Sequence, residues 1–267
     1  MKNIFSSTIL QALSLLIFFA IFSSTGIFLK EMFFKSAEVG VVMLISVGFS
    51  FLAVIASIHL INIKRKITYN FSLKHIQLIP IALIILLSFQ LGINTPLSKL
   101  IFSFTNPDII PLNPFNSIVS LLSSLILAPI FEEIIFRGYI LKGFLSTYSS
   151  RKAIIASAII FGLVHFYPHQ IIGAIPLGLF FGWVYYKTRS IGITIILHFF
   201  TNLTGLITGW LHFEFGNQTI RLFNDIYGNY SIYIIIVAIM IFAFLLRLFI
   251  KNMKSFQTEG NTEVVAD

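Results

Sequence analysis

Three short patterns of polar residues stand out from otherwise apolar sequence. The first is a pair of glutamates with an arginine one helical turn later, the second is a single histidine, and the third is a histidine with an asparagine four residues later. The residues are Glu132, Glu133, Arg137, His165, His198 and Asn202. Ionisable groups are costly in apolar surroundings and therefore indicate a functional site. The chain has no cysteine and the patterns contain no serine, so neither a thiolate nor a Ser–His–Asp arrangement is indicated. Carboxylate, imidazole and amide groups can instead activate a water and stabilise a developing oxyanion.

The two acids have different surroundings along their helix. Glu133 and Arg137 are four residues apart, so they meet on one helix face as an ion pair. Glu132 points about 100° away from Glu133 on a helix with 3.6 residues per turn, towards a different neighbour. This arrangement makes Glu132 the best candidate for a general base, with Arg137 neutralising Glu133 and fixing the helix.

The histidines also have informative spacing. His198 and Asn202 are four residues apart, so both are expected to face one site. Phe161 lies one turn before His165 and is expected to pack beneath its ring. His59 has no motif around it and is interpreted as a structural residue.

The surroundings of these patterns are those of a membrane protein. Of the 267 residues, 57% are hydrophobic and only 10% are charged, whereas a soluble domain has about 25% charged residues. Seven runs without Asp, Glu, Lys or Arg are 21 to 34 residues long, and about 20 residues cross the hydrocarbon core. The longest run is interrupted at Tyr167-Pro168-His169-Gln170, because proline disfavours helix in the residue before it. The sequence therefore predicts an all-α bundle of about eight transmembrane helices.

The distribution of basic residues predicts the orientation. With eight spans, 13 of the 18 Lys and Arg residues lie on the side of both termini and four lie on the other side. The apolar run after Lys2 is also compatible with a signal peptide, but it is long and no A-x-A-like cleavage site follows, so a retained first span is expected. The bias of the basic residues predicts that both termini are cytoplasmic. It also explains the net charge of +8 without a nucleic-acid partner. We expect residues 1–256 to form one polytopic membrane domain, with Ile109–Asn116 as a loop and 257–267 as a disordered polar tail.

Taken together, the patterns at 132, 133 and 137, at 161 and 165, and at 198 and 202 resemble those of the CAAX protease and bacteriocin-processing family, also called Abi or CPBP. The resemblance covers about residues 117–210. It implies hydrolysis of a peptide bond within the membrane, and it implies that all six polar residues belong to the catalytic site. In bacteria such a resemblance goes with peptide maturation or self-immunity to bacteriocins, and in eukaryotes with the trimming of prenylated CAAX proteins. The Ile-, Phe-, Asn- and Lys-rich composition favours a bacterial cell membrane.

Two alternatives stay open on metal dependence. The family is usually classed among the metalloproteases, and Glu132, His165 and His198 form a plausible set of three zinc ligands with an open fourth position. Glu132 cannot readily be both the ligand carboxylate and the general base, however, and Glu133 is needed by Arg137. A metal-free water activated by Glu132 is the other alternative.

A second function class is a non-enzymatic transporter or scaffold. Its Glu/His cluster would relay protons or bind a partner. The discontinuous helices and internal repeats common in transporters are not visible in the sequence. The expected partners are membrane lipid and a peptide or membrane-protein substrate.

Overall fold

The structure is a computed structural model that describes residues 7–33, 39–63, 67–105, 118–165, 167–215 and 230–263. Within these residues the regular structure is helical and no strand occurs. The helices are α1 Ile9–Phe33, α2 Val39–Ile61, α3 76–105, α4 Ile118–Leu145, α5 Ser150–Leu163, α6 Pro168–Thr188, α7 Ile191–Phe215 and α8 Ser231–Glu263. The prediction of an all-α membrane bundle is confirmed.

Five described helices are long and apolar enough to cross a membrane. They are Ile76–Ser98 in α3, Ile118–Leu145, Pro168–Thr188, Ile191–Thr208 in α7 and Ser231–Met253 in α8. The apolar parts found in α1 and α2 are shorter, Ile9–Phe22 and Gly48–Ile61. Helix α5 has 14 residues and is about 21 Å long at 1.5 Å per residue. Crossing by these three helices, and with it the count of eight, stays a prediction.

The break in the longest apolar run lies where the sequence predicts it. Helix α5 ends at Leu163, and α6 begins at Pro168 with Tyr167 in an extended conformation before it. Proline suits the first turn of a helix, where its missing N–H costs nothing. The break turns the chain back and places α5 and α6 side by side.

Helices α3 and α4 contain π-helical turns that the sequence patterns did not reveal. The turns are Gln90–Asn94 in α3 and Ser123–Leu127 and Ile134–Leu141 in α4. Such turns shift the face that the following residues present and are frequent at functional sites. The six polar residues of the candidate site include three on α4 beside or within these turns.

Burial changes sharply along α4. From Ile118 to Phe131 only Pro129 is buried, whereas every residue from Ile135 to Leu141 is buried. The buried half packs against α5 through Phe136 and Phe161, whose ring centroids are 5.0 Å apart. Glu132 and Glu133 lie at the boundary between the two halves.

Two predictions at the chain's less regular parts stay open. The loop Ile109–Asn116 lies outside the described residues. Helix α8 continues to Glu263, into the segment 257–267 for which the sequence predicts a disordered tail. The division into one domain and a tail stays a prediction.

Candidate active site

A buried ion pair on α4 also contacts α7. Arg137 Nη1 lies 2.9 Å from Glu133 Oε1, as the four-residue spacing predicts. The same carboxylate oxygen lies 2.8 Å from Nδ1 of His198 on α7. The exposed fractions are 0% for Glu133, 1% for Arg137 and 5% for His198. A buried charge requires a partner of this kind, so the three side chains stabilise one another.

Aromatic rings and a backbone carbonyl complete the surroundings of Arg137. Its guanidinium carbon lies 4.7 Å from the Phe161 ring centroid and 5.4 Å from that of Phe181. Nη2 donates to the carbonyl oxygen of Gly178 at 3.4 Å. Cation–π contacts of this kind stabilise a desolvated guanidinium. Arg137 thereby connects α4 to both α5 and α6.

Glu132 lies against the same histidine as Glu133, which corrects the expectation of a different neighbour. Its Oε2 atom is 3.8 Å from His198 Nε2. The two nitrogens are on different sides of the imidazole ring, so one histidine can contact two carboxylates that diverge by about 100° on their helix. Oε2 is buried and has no hydrogen-bond partner among the described residues, although the side chain as a whole is 16% exposed.

His165 lies in the turn after α5 and is half-buried. Its Nδ1 atom is 3.0 Å from the carbonyl oxygen of Phe161. The Phe161 ring packs edge-on against it, with centroids 5.2 Å apart, as the spacing predicts. Phe161 also contacts the His198 ring at 5.8 Å. Phe161 thus links the two histidines.

Asn202 is on α7, one turn after His198, and it contacts another part of α4. Its Nδ2 atom donates to the carbonyl oxygen of Ser124 at 2.8 Å, within a π-helical turn. His198 and Asn202 therefore both contact α4, as their spacing predicts for one helix face. Asn202 ties the two helices together, and one of its two amide protons is used for this contact.

The residues expected as zinc ligands are Glu132, His165 and His198. In both histidines Nδ1 is engaged, so Nε2 is the atom available for a metal, which suits a zinc ligand. However, in the part of the chain that the structure describes, no three His, Asp or Glu side chains are grouped closely enough to hold a metal ion. Glu132 and His198 lie together and His165 does not complete the set. Zinc binding at this site therefore stays a prediction.

Two residues around Arg137 could not be predicted from the sequence. Phe181 and Gly178 on α6 contact Arg137. The chain has 30 phenylalanines, and no spacing distinguishes Phe181 from the others. The contact of Gly178 is made by its backbone carbonyl, which no sequence pattern marks.

Comparison with known proteins agrees with the motifs. Residues 114–204 match the family model described as Type II CAAX prenyl endopeptidase Rce1-like, and this segment contains all six candidate residues. No curated protein and no solved structure matches the chain. The apolar helices and this match together make the chain an integral membrane protein. Over residues 114–204, about a third of its length, the chain is therefore similar to the Rce1-like type II CAAX prenyl endopeptidases.

Proposed function

We propose that this chain hydrolyses a peptide bond in a membrane-associated or hydrophobic peptide by means of a water that Glu132 activates. One observation carries the proposal. Glu132 Oε2 is buried, without a hydrogen-bond partner among the described residues, and 3.8 Å from His198 Nε2. Glu133 Oε2 and Arg137 Nε also lack a partner among the described residues, but those side chains are at most 1% exposed, whereas that of Glu132 is 16% exposed. An unsatisfied buried carboxylate oxygen is costly in a structural role. In an enzyme it is the acceptor that a reacting water needs.

The protonation of His198 supports this arrangement. When the Nδ1 proton is donated to Glu133, the Nε2 atom carries a lone pair and faces Glu132. An ionised Glu132 and this Nε2 are then both acceptors. A water can donate one proton to each, which leaves an oxygen lone pair directed away from both groups. Such a water is oriented for attack on a carbonyl carbon.

In the proposed reaction, Glu132 carries the proton from the water to the leaving group. The water oxygen forms a bond to the carbonyl carbon while its proton passes to Glu132 Oε2. The tetrahedral intermediate collapses by breaking the C–N bond, and Glu132 returns the proton to the leaving nitrogen. The products are a carboxylic acid and an amine, and Glu132 ends ionised as it began.

The remaining residues have supporting functions in this proposal. Arg137 and Glu133 hold His198 in the tautomer described above. The second amide proton of Asn202 is available to donate a hydrogen bond to the oxyanion. Stabilising the oxyanion contributes a large part of the rate acceleration in hydrolases. His165 is a candidate for a further contact to the water through Nε2.

The family match directs the choice of substrate. We propose a prenylated CAAX-type peptide as the first substrate class, and a bacteriocin-like hydrophobic peptide as the second. The proposed location is a bacterial cell membrane with both termini in the cytoplasm, in agreement with the charge bias of the loops. No step in the proposal passes through a metal ion.

The test uses the full chain in phospholipid vesicles with a farnesylated CAAX peptide and an unprenylated hydrophobic peptide as separate substrates. Cleavage is measured by mass spectrometry of the fragments. Glu132→Gln keeps the size of the side chain and removes the base, so the rate is expected to fall by about 100- to 10,000-fold. The thermal unfolding midpoint is expected to stay close to that of the wild type.

Glu259→Gln makes the same chemical change in the polar C-terminal segment and serves as the matched control, with full activity expected. Full activity in Glu132→Gln would show that another group activates the water. A wild-type chain that cleaves neither peptide would favour the alternative of a transporter or scaffold.

A further inference from the structure

The segment 67–73, between α2 and α3, contacts the beginning of α7 through consecutive residues. The carbonyl oxygen of Asn70 accepts from the backbone N–H of Ile191 at 2.8 Å. The hydroxyl of Ser190 donates to the carbonyl oxygen of Ser72 at 2.5 Å. These contacts join residues about 120 positions apart in sequence, so the segment has a fixed place on α7.

A glycine makes the closest of these approaches possible. A Cβ atom on Gly192 would lie 2.7 Å from the carbonyl oxygen of Phe71, which is too close for any real Cβ. The backbone of the 67–73 segment therefore lies directly on the first turn of α7. Any side chain at position 192 would push the segment away.

The same segment contacts the buried half of α4. The Lys142 ammonium donates to the carbonyl oxygen of Thr68 at 2.6 Å. The Tyr69 hydroxyl is hydrogen-bonded to the hydroxyl of Tyr139. The ring of Tyr69 also lies over Gly138, where a Cβ atom would be 3.2 Å from its Cε1 atom. Gly138 directly follows Arg137.

Tyr139 brings a third helix into this cluster. It is fully buried, and its hydroxyl lies 2.8 Å from Nδ1 of His59 near the end of α2. The sequence interpreted His59 as structural, and the structure places it in a polar cluster with two tyrosines. The cluster of His59, Tyr69 and Tyr139 thus joins α2, the 67–73 segment and α4.

These contacts bear on the candidate active site because of which helices they join. Helix α4 carries Glu132 and Glu133, and α7 carries His198. We propose that the 67–73 segment holds α4 against α7, and that Tyr69 and Tyr139 are positioning residues that set the distance between Glu132 and His198. The proposal rests on the proposed function, and it assigns a part in catalysis to Tyr69 and the 67–73 segment, which lie outside the family match at 114–204.

The first test removes the hydroxyls and keeps the rings, in Tyr69→Phe, Tyr139→Phe and the double variant. A misplacement of about 1 Å can reduce a rate 100-fold, so kcat is expected to fall about 10- to 100-fold with KM unchanged. The pH at half-maximal kcat is expected to shift, because the oriented water then lies at a different distance from its proton acceptor. A loss of folded protein alone would lower the rate and leave this pH unchanged.

Tyr148→Phe is the matched control. The Tyr148 hydroxyl, after the end of α4, accepts from the backbone N–H of Ile9 on α1 at 3.4 Å and does not join α4 to α7. Its removal is expected to leave kcat and the pH profile unchanged. Equal effects of Tyr148→Phe and Tyr69→Phe on kcat would overturn the proposal, because the loss would then not depend on the contacts that join α4 to α7.

The second test displaces the segment without touching a hydroxyl. Gly192→Ala is expected to reduce kcat in the same way, with the same change in the pH profile. Gly48→Ala on α2 is the control, because a Cβ atom there meets nothing within 4 Å. Wild-type kinetics in folded Gly192→Ala would contradict the proposal.

A measurement without a substrate separates this proposal from the proposed function. Hydrogen exchange at the amide of Ile191 reports on its bond to Asn70 directly. Faster exchange is expected in Tyr69→Phe and Gly192→Ala, and not in Tyr148→Phe. If wild-type protein cleaves no peptide, the proposed function fails while this exchange pattern can still hold. If the exchange rates stay at the wild-type value, the segment does not depend on Tyr69 and the positioning proposal fails by itself.

Discussion

His198 Nδ1 lies 2.8 Å from Glu133 Oε1, although 65 residues separate them in sequence. Because this carboxylate also pairs with Arg137, it orients the histidine from inside the protein. The opposite nitrogen of His198 is left to face Glu132. Two adjacent glutamates thus act on one imidazole, the first as an anchor and the second as the proposed base.

The anchor predicts a stability effect that can be separated from catalysis. Glu133→Gln leaves Arg137 buried without a countercharge, and loss of one member of a buried pair costs about 3–5 kcal/mol. The double variant Glu133→Gln/Arg137→Met removes both charges and is expected to unfold at a higher temperature than either single variant. Thermal unfolding in detergent measures this, and strictly additive losses would show that the two side chains are not coupled.

Asn202 predicts a second, smaller stability effect. Asn202→Ala removes the Nδ2 donor to the Ser124 carbonyl oxygen, and the loss of a partly buried hydrogen bond costs about 0.5–1.5 kcal/mol. Asn202→Asp is expected to be at least as destabilising, since a carboxylate cannot donate to a carbonyl when ionised. Thermal unfolding midpoints are compared with that of Thr208→Ala, on the same helix. A smaller effect of Thr208→Ala shows that the loss of stability comes from the Asn202 contact. An unchanged midpoint in Asn202→Ala would mean that this bond contributes nothing to the α4–α7 contact.

Chelation tests the zinc alternative. Because no three donors are grouped within the described residues, activity is expected to persist after treatment with a strong zinc chelator and removal of bound metal. The amount of zinc per chain is measured in the same samples. Loss of activity that added zinc restores would replace the metal-free water with a zinc-activated one.

Tyr69 predicts a dependence of stability on alkaline pH. Burial raises its pKa to about 12, whereas an unfolded tyrosine has a pKa of about 10. The neutral hydroxyl therefore contributes stability that is complete below about pH 10 and is lost as the pH rises towards 12. The difference in unfolding midpoint between wild type and Tyr69→Phe is expected to be constant up to pH 10 and to decrease above it. A constant difference up to pH 12 would show that Tyr69 has the same pKa in the folded and the unfolded state, so that burial does not raise it.

The sequence by itself determined the membrane class, the helical architecture and the residues of the candidate site. Charge is so expensive in an apolar bundle that three charged residues in one span mark a site without any coordinates. The Glu133–Arg137 pair, the packing of Phe161 on His165 and the helix break before Pro168 were also predictable. Each depends on spacing within one helix or on the local geometry of proline, which a sequence contains directly.

Only the tertiary structure decided which helices meet and through which residues. It placed His198 between both glutamates, Asn202 on the carbonyl oxygen of Ser124, and the 67–73 segment across α4 and α7. Contacts of this kind join residues 65 to 121 positions apart and often use backbone atoms, which are the same in every residue. Helical spacing alone could not show that Glu132 and Glu133 share a partner, because their carboxylates reach nitrogens on different sides of one imidazole ring.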